Sequence, residues 1–448
     1  MLTFYCSSDN DATLKFHTSQ DVYFILSPNL TYDKTMEITI SQTRLSQELE
    51  QLATYSEVPA PAVTRIVYTS QDMQARGYLD KLFQEAHLSI HKDALGNTFA
   101  RWAGSEPELP AVATGSHIDA IPNAGMYDGT VGVLGALEAI RALQASGFTP
   151  KRSIEIILFT SEEPTRFGVG CLGSRVMAGT LNSEALENLK DKDNKTPQEA
   201  TREAGFTGNI ENVTLPQGYY SAFVELHIEQ GPLLERNKND IGIVTAVAAP
   251  ATLHITLEGL GGHAGALLMP DRKDALTAAA DIVLAVERAA KNSGSLDSVA
   301  TVGILDIHPR AVNSVPSKVF MTVDARDIDL NRRDKMIQQI KAAVHIARED
   351  RSVIGKIETI NADPPATCAA EIIEAIETSA QNLQLNTQRM VSRAYHDTLF
   401  MARICPVGMI FIPCKGGVSH RPDEYSKPEE IEKGVKVLAH TLAKLSLV

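Results

Sequence analysis

The chain has 448 residues, 44% hydrophobic and 22% charged, with 29 Gly and 21 Pro, which is the composition of a globular protein and excludes a disordered or fibrous one. That length allows two or three domains around a sizeable core. Lys and Arg number 42 against 55 Asp and Glu, and the formal charge of −13 is the wrong sign for wrapping nucleic acid or holding to an anionic membrane, so small-molecule partners are expected.

Residues 1 to about 35 contain one short apolar piece, Val22 to Leu26, with no basic segment ahead of a long apolar stretch. Residues 1–41 therefore read as a poorly specified extension, with Met36 as an alternative start. No apolar run approaches the roughly 18 residues of a membrane span. Cys6, Cys171, Cys368, Cys405 and Cys414 are odd in number, scattered and never in a Cys-x-x-Cys pair, which predicts a reducing, cytoplasmic setting without a thiolate zinc site. From about residue 42, apolar strand runs alternate with amphipathic helices, the pattern of an α/β sheet covered by helices. Strands are predicted at Ala111 to Thr114, Ile154 to Thr160, Phe223 to Ile228 and Met409 to Pro413. A helix follows Asp128, with Val133, Leu134, Leu137 and Ile140 at helical spacing and Glu138 and Arg141 on the other face.

Ala249-Pro250-Ala251 and Asp363-Pro364-Pro365 punctuate the chain. Between them the predicted order is strand (252–258), helix (271–292), strands (298–306 and 317–327), helix (330–351) and strand (353–361). That β-α-β-β-α-β order predicts a split-βαβ, ferredoxin-like domain over 247–363, inserted between catalytic parts at 42–246 and 364–448.

Four strand ends carry side chains capable of chemistry. After the first comes Gly115-Ser116-His117-Ile118-Asp119, followed by Tyr127-Asp128-Gly129 ahead of the helix. Such a loop brings an imidazole and a carboxylate to one ion, with Asp119 placed to accept the second ring N–H of His117; a plain polar loop is the alternative. Ser161-Glu162-Glu163 follows the second strand, where α/β proteins place their ligand crevice. One carboxylate of such a pair binds metal while its neighbour serves as general base, unless the pair is simply solvated surface. In Phe223 to Pro232, period two sends Glu225, His227 and Glu229 to one side of the strand, which calls for metal or hydrogen bonds unless that side is exposed. Gly416-Gly417-Val418-Ser419-His420 offers a further imidazole. His117, Asp128, Glu163, His227 and His420 together suit two divalent ions with Asp128 as the bridge.

With these motifs in this order, and with Glu-Glu-Pro-Thr-Arg-Phe-Gly, Glu-Leu-His-Ile-Glu-Gln-Gly-Pro and Gly-His-Ala-Gly among them, the chain from about residue 42 onward resembles the dinuclear-metal amidohydrolases of the aminoacylase and carboxypeptidase type. The similarity is to the branch that hydrolyses carbamoyl and ureido compounds. It implies a zinc-peptidase-like α/β domain, a mixed sheet flanked by helices, interrupted by an α+β lid that also makes a homodimer. It further implies that His117, Asp128, Glu163, His227 and His420 are the ligands of two ions, Mn²⁺ or alternatively Zn²⁺. Glu162 is the implied general base, taking a proton from water to form the hydroxide that bridges the ions, and Asp119 the implied supporting carboxylate. His263 is implied as an oxyanion-stabilising residue, often supplied across the dimer.

The same resemblance assigns Asn313 and Arg326 to the substrate carboxylate, which the Arg fork suits, though Arg326 lies between Asp324 and Asp327 and an ion pair is its other reading. Gln230 is implied as a substrate contact. Within the branch, Ile157 to Gly168, Gly262 to Pro270 and Ser392 to Asp397 are most similar to members acting on ureidoglycolate. Tyr395 and His396 fall in the last stretch and are taken as substrate contacts, a Tyr ring narrowing the pocket unless Tyr395 only packs. The implied reaction turns (S)-ureidoglycolate into glyoxylate, ammonia and CO2; allantoate, an N-carbamoyl-L-amino acid or a catalytically silent fold are the alternatives.

Overall fold

Four parallel strands form the middle of a nine-stranded mixed sheet in the computed structural model, which describes residues 37–448. The expectations for Val22 to Leu26 and Met36 lie outside the described residues. Val407–Ile412, Ala222–Ile228, Val112–Ser116 and Ile154–Leu158 lie side by side in that order, all parallel. Ile241–Val247 on one side and Thr98–Trp102 on the other run antiparallel to them. Every residue of the four parallel strands is buried, because helices and loops cover both faces of such a sheet. The exposed polar face left open for Phe223 to Glu229 does not occur: Glu225 is 0% exposed and His227 1%.

The helix Thr130–Ala145 packs against this sheet and against the helices Gln42–Ala53 and Pro428–Ser446. Its predicted polar face is corrected by that packing. Glu138 is fully buried and accepts hydrogen bonds from the Arg44 guanidinium at 2.8 Å and the Ser41 N–H at 2.7 Å, while Arg141 reaches Glu48 at 2.8 Å. These pairs take the place of water around charges that neighbouring helices enclose.

The inserted segment forms a separate four-stranded antiparallel sheet in the order Val299–His308, Lys318–Asp327, Ala249–Glu258 and Ile354–Ala362. Numbered along the segment that is 2-3-1-4, the ferredoxin-like arrangement. The helices Ala275–Lys291 and Leu330–Arg351 pack together over one face, closing a core with Leu253, Ile255, Val319 and Met321. Lys318–Asp327 accordingly alternates between buried and more exposed positions along its length. Val299–His308 is an edge strand that leaves Ile304 and Leu305 exposed. Where the chain returns to the large sheet, the Asp363 carboxylate meets Arg175 at 2.7 Å and its carbonyl accepts from Arg333 of the segment. Among the described residues, no helix is long and apolar enough to cross a membrane.

Candidate active site

His117, Asp128, Glu162, Glu163, His227 and His420 gather at the carboxyl ends of the four parallel strands, where the backbone turns into loops. His117 follows Val112–Ser116, Glu162 and Glu163 follow Ile154–Leu158, His227 lies within Ala222–Ile228, and His420 follows Val407–Ile412. Asp128 stands between them, before Thr130–Ala145. Gly129 next to it has φ 67°, and a Cβ there would lie 2.5 Å from the His117 ring, so only Gly lets the loop close over that imidazole.

One oxygen of Asp128, Oδ1, is 3.1 Å from His227 Nε2 and 3.7 Å from His117 Nε2. The other, Oδ2, is 3.1 Å from His420 Nε2, which in turn lies 3.2 Å from Glu163 Oε1. The donors thus form two trios, His117–Asp128–His227 and Asp128–Glu163–His420, that share the aspartate. Three imidazoles and two carboxylates so arranged fit a pair of divalent cations bridged by Asp128. The outer ring nitrogens are fixed as metal histidines require: His117 Nδ1 is 3.0 Å from the Asp119 carbonyl and His227 Nδ1 2.9 Å from the Ile228 carbonyl, which directs both Nε2 atoms inward. Burial alone would lower His227, but Asp128 outweighs it and raises the imidazole to about 9. Hydrogen bonds to Asp128 and Glu163 raise His420 to about 10.

Glu162 points its Oε2 to within 3.7 Å of His117 Nε2 and is 6% exposed. Burial first, then the charges of Glu163 and Asp397, hold its carboxyl well above the ordinary range. The Cys171 thiol donates to Glu162 Oε1 at 3.6 Å, and the Cys171 N–H to the Glu162 carbonyl at 2.7 Å. The expected bond between the Asp119 carboxylate and the His117 ring is corrected. That carboxylate stands 3.8 Å from Nδ1, because the turn brings the Asp119 carbonyl nearer, and it accepts instead from the N–H groups of Glu162 at 3.2 Å and Glu163 at 3.0 Å. Asp119 therefore holds the backbone of the carboxylate pair, and burial raises it to about 6.

Beside these groups is a cavity of about 130 Å³ whose lining includes Gln230, Arg326, Tyr395 and His396. Gln230, at φ 54°, donates to Asp128 Oδ2 at 2.9 Å and to Ser419 Oγ at 3.1 Å. Arg326 grips Asp324 at 2.7 Å while Asp327 pairs with Arg332, so the ion pair left open from sequence does form, on a side chain that also faces the cavity. Its guanidinium stands 5.6 Å from the centre of the Tyr395 ring. The Tyr395 hydroxyl lies against Gly170, where a Cβ would fall 1.9 Å away. His396 is 2% exposed, with Nε2 3.0 Å from Ser392 Oγ and its ring 4.5 Å from that of His227. His263 and Asn313 are not brought to this cavity by their own chain. Both are exposed on the inserted segment, where Gly262–His263 pairs with Ser314–Val315 and the Ala264 N–H donates to the Asn313 carbonyl at 2.8 Å.

Three supporting acids were not singled out as site residues from sequence. Glu225 accepts from Ser116 Oγ at 2.7 Å and Thr398 Oγ1 at 2.5 Å. Asp397 accepts from Ser174 Oγ at 2.5 Å. Glu424 accepts from the N–H groups of Tyr127 and Asp128 at 3.0 and 3.1 Å. Glu225 carried a signal in its place two residues before His227 on a strand, and Asp397 in ending the stretch Ser392 to Asp397, whereas Glu424 carried none.

Residues 113–444 match the model of peptidase family M20/M25/M40. The chain is 52% identical over 417 residues to an Arabidopsis thaliana ureidoglycolate hydrolase, covering 92% of this chain and 88% of the relative. It is 53% identical over 408 residues to the ureidoglycolate hydrolase of Oryza sativa subsp. japonica, covering 90% and 84%. Crystal structures of AtUAH in complex with glyoxylate and with (S)-hydroxyglycine each superpose with a TM-score of 0.85 at 52% identity, over 91% of this chain and 98% of theirs.

Proposed function

The chain belongs to peptidase family M20/M25/M40, and on that premise we propose that it hydrolyses the ureido group of (S)-ureidoglycolate. One water is consumed and the products are glyoxylate, two molecules of ammonia and CO2. The observation that carries this reading is the small cavity lined by His117, Asp128, Glu163 and His420 together with Glu162, Tyr395 and Arg326. At about 130 Å³ it is well below the roughly 300–1,000 Å³ of pockets for larger ligands and suits a short ureido acid. The ureidoglycolate hydrolases at 52% and 53% identity support the same substrate.

Divalent ions held by the five ligands supply the charge that makes water a nucleophile near neutral pH and polarises a carbonyl. Mn²⁺ is the ion we assign, the oxygen and nitrogen donors admitting Zn²⁺ as well. Glu162 takes a proton from the attacking water and delivers it to the leaving nitrogen. Burial and the neighbouring Glu163 and Asp397 charges raise its pKa, which makes it a better proton acceptor than an exposed carboxylate. Asp119 fixes Glu162 through the backbone, and the Cys171 thiol leaves Oε2 as the working oxygen. Arg326 binds the acid end and Gln230 is a further polar substrate contact, with Tyr395 and His396 closing the wall.

His263 and Asn313 complete the site from a second copy. Their exposure and joint placement on the inserted segment support that reading, and the exposed edge strand Val299–His308 supports residues 247–363 as the lid and dimer-forming domain. The test is ammonia release by the Mn²⁺-loaded protein from (S)-ureidoglycolate, allantoate and an N-carbamoyl-L-amino acid at matched concentrations. A clear preference for ureidoglycolate is expected. Preference for another ureido compound overturns the substrate, and no release from any of them overturns the activity.

A further inference from the structure

His227 lies within a buried strand and His117 directly follows one, but His420 sits on a loop with its side chain 46% exposed, and Asp128 sits on another loop well apart in sequence. Two loops that share an ion must keep their spacing to within a fraction of an ångström, so something has to tie them together. A single carboxylate touches both. Glu424 is 4% exposed, and its Oε1 accepts from the N–H groups of Tyr127 at 3.0 Å and Asp128 at 3.1 Å. Its Oε2 accepts from the hydroxyl of Ser419, the residue before His420, at 2.8 Å.

The surroundings are built around this arrangement. A Cβ at Gly125 would lie 2.4 Å from the Glu424 Cβ, so the Asp128 loop closes over the carboxylate only with Gly there. The turn carrying Glu424 is anchored in turn, Ser426 Oγ donating to the Pro413 carbonyl at 2.7 Å and the Lys415 N–H to the Tyr425 carbonyl at 2.8 Å. Ser419 Oγ also receives the Gln230 amide at 3.1 Å, which links the tie to the cavity wall.

We propose that Glu424 is a positioning residue that sets the spacing of Asp128 and His420, and thereby the affinity of the Asp128–Glu163–His420 trio for its ion. It acts through its two acceptor oxygens and not as a ligand. The inference rests on the two-ion reading of the site and is independent of the substrate.

Metal-stripped full-length protein is titrated with Mn²⁺, following stoichiometry and affinity by calorimetry and free Mn²⁺ by electron paramagnetic resonance. Wild type is expected to bind two ions per chain. Glu424→Ala is expected to weaken one of them by about 10–100-fold, the range for loss of a group that orients a ligand. Glu424→Gln keeps an oxygen for the two N–H groups and an amide for Ser419, and is expected to restore most of that affinity. Ser419→Ala, which leaves the fold of the turn alone, is expected to show a smaller loss in the same direction and carries the test where the alanine variant at 424 fails to fold. Wild-type affinity in Glu424→Ala or Ser419→Ala, or equal weakening in Glu424→Gln and Glu424→Ala, overturns the proposal. Fewer than two ions bound by wild type overturns the two-ion reading itself, and the proposal with it.

Discussion

Glu225 and His227 lie on a strand whose seven residues are all buried, whereas Lys318–Asp327 in the inserted segment alternates between buried and more open positions. In the large sheet, polar side chains are enclosed on both faces and each must be matched: Glu225 by Ser116 and Thr398, Asp119 by two backbone N–H groups, Asp128 by imidazoles. In the inserted segment, one face of the four-stranded sheet is covered by helices, and His263 and Asn313 stand in the open outside that sheet. The difference teaches where each part of the chemistry can be assembled. Costly buried charges hold one another in place within a single chain, while exposed donors depend on a surface that arrives from elsewhere.

The largest effect tests the large sheet. Glu162→Gln is expected to lower kcat by about 10²–10⁴-fold, the usual contribution of a general base, while metal analysis still finds two ions per chain. Substantial activity in that variant would take the base away from Glu162. The inserted segment is tested next. His263→Ala is expected to cost about 10²–10³-fold in kcat, as for loss of an oxyanion donor, with metal content unchanged. Mixing that variant with Glu162→Gln under conditions of subunit exchange is expected to regain activity, since a mixed dimer holds one intact site. If no activity returns, the two regions do not meet across copies.

A third change sits where the two regions touch. Gly170→Ala places a methyl group against the Tyr395 hydroxyl, beneath Arg326 of the inserted segment, and 2.5 Å from the Glu162 carbonyl, so Tyr395→Phe is measured beside it. Displacing that ring is expected to lower kcat/KM for ureidoglycolate by up to about 100-fold. Unchanged kinetics would make Tyr395 a packing residue only.

The last test is a pH dependence confined to the large sheet. His227 at about 9 and His420 at about 10 carry protons in the metal-free protein at neutral pH, and a ligating imidazole must be neutral. Mn²⁺ affinity is therefore expected to rise about tenfold per pH unit for each proton displaced, and to level off near pH 10. Both values are raised above the unfolded one, so their contribution to metal-free stability is complete below about pH 6.5 and fades as pH climbs through 9 to 10. Thermal unfolding at pH 7 and pH 10, with and without Mn²⁺, checks the sign.

Much of the large sheet was legible from residues alone. The four apolar runs appear as strands within one or two residues of their predicted ends, and His117, Asp128, Glu163, His227 and His420 lie together because α/β sheets present strand ends on one side. The split-βαβ order was legible as well, since each element has its own period. Glu138 was misread because helical spacing reports one apolar face and says nothing of a second helix packed on the other. The Asp119 bond was misassigned because a side chain and its own carbonyl compete over about an ångström, which spacing cannot resolve.

What the sequence determined by itself is chemistry carried by residue type and order: oxygen and nitrogen ligands, a paired carboxylate, strands that bring them to one edge. What only the tertiary structure decided is which partner each group meets. Glu424 reads as one more surface acid until the chain closes and sets it against the N–H of Asp128, nearly three hundred positions away. Gly170 and Tyr395 become one wall, and His263 is left outside it, for the same reason. Local pattern fixes the period and chemistry of a segment, but contacts between distant segments follow from packing the whole core, and those contacts decide which side chains form the site.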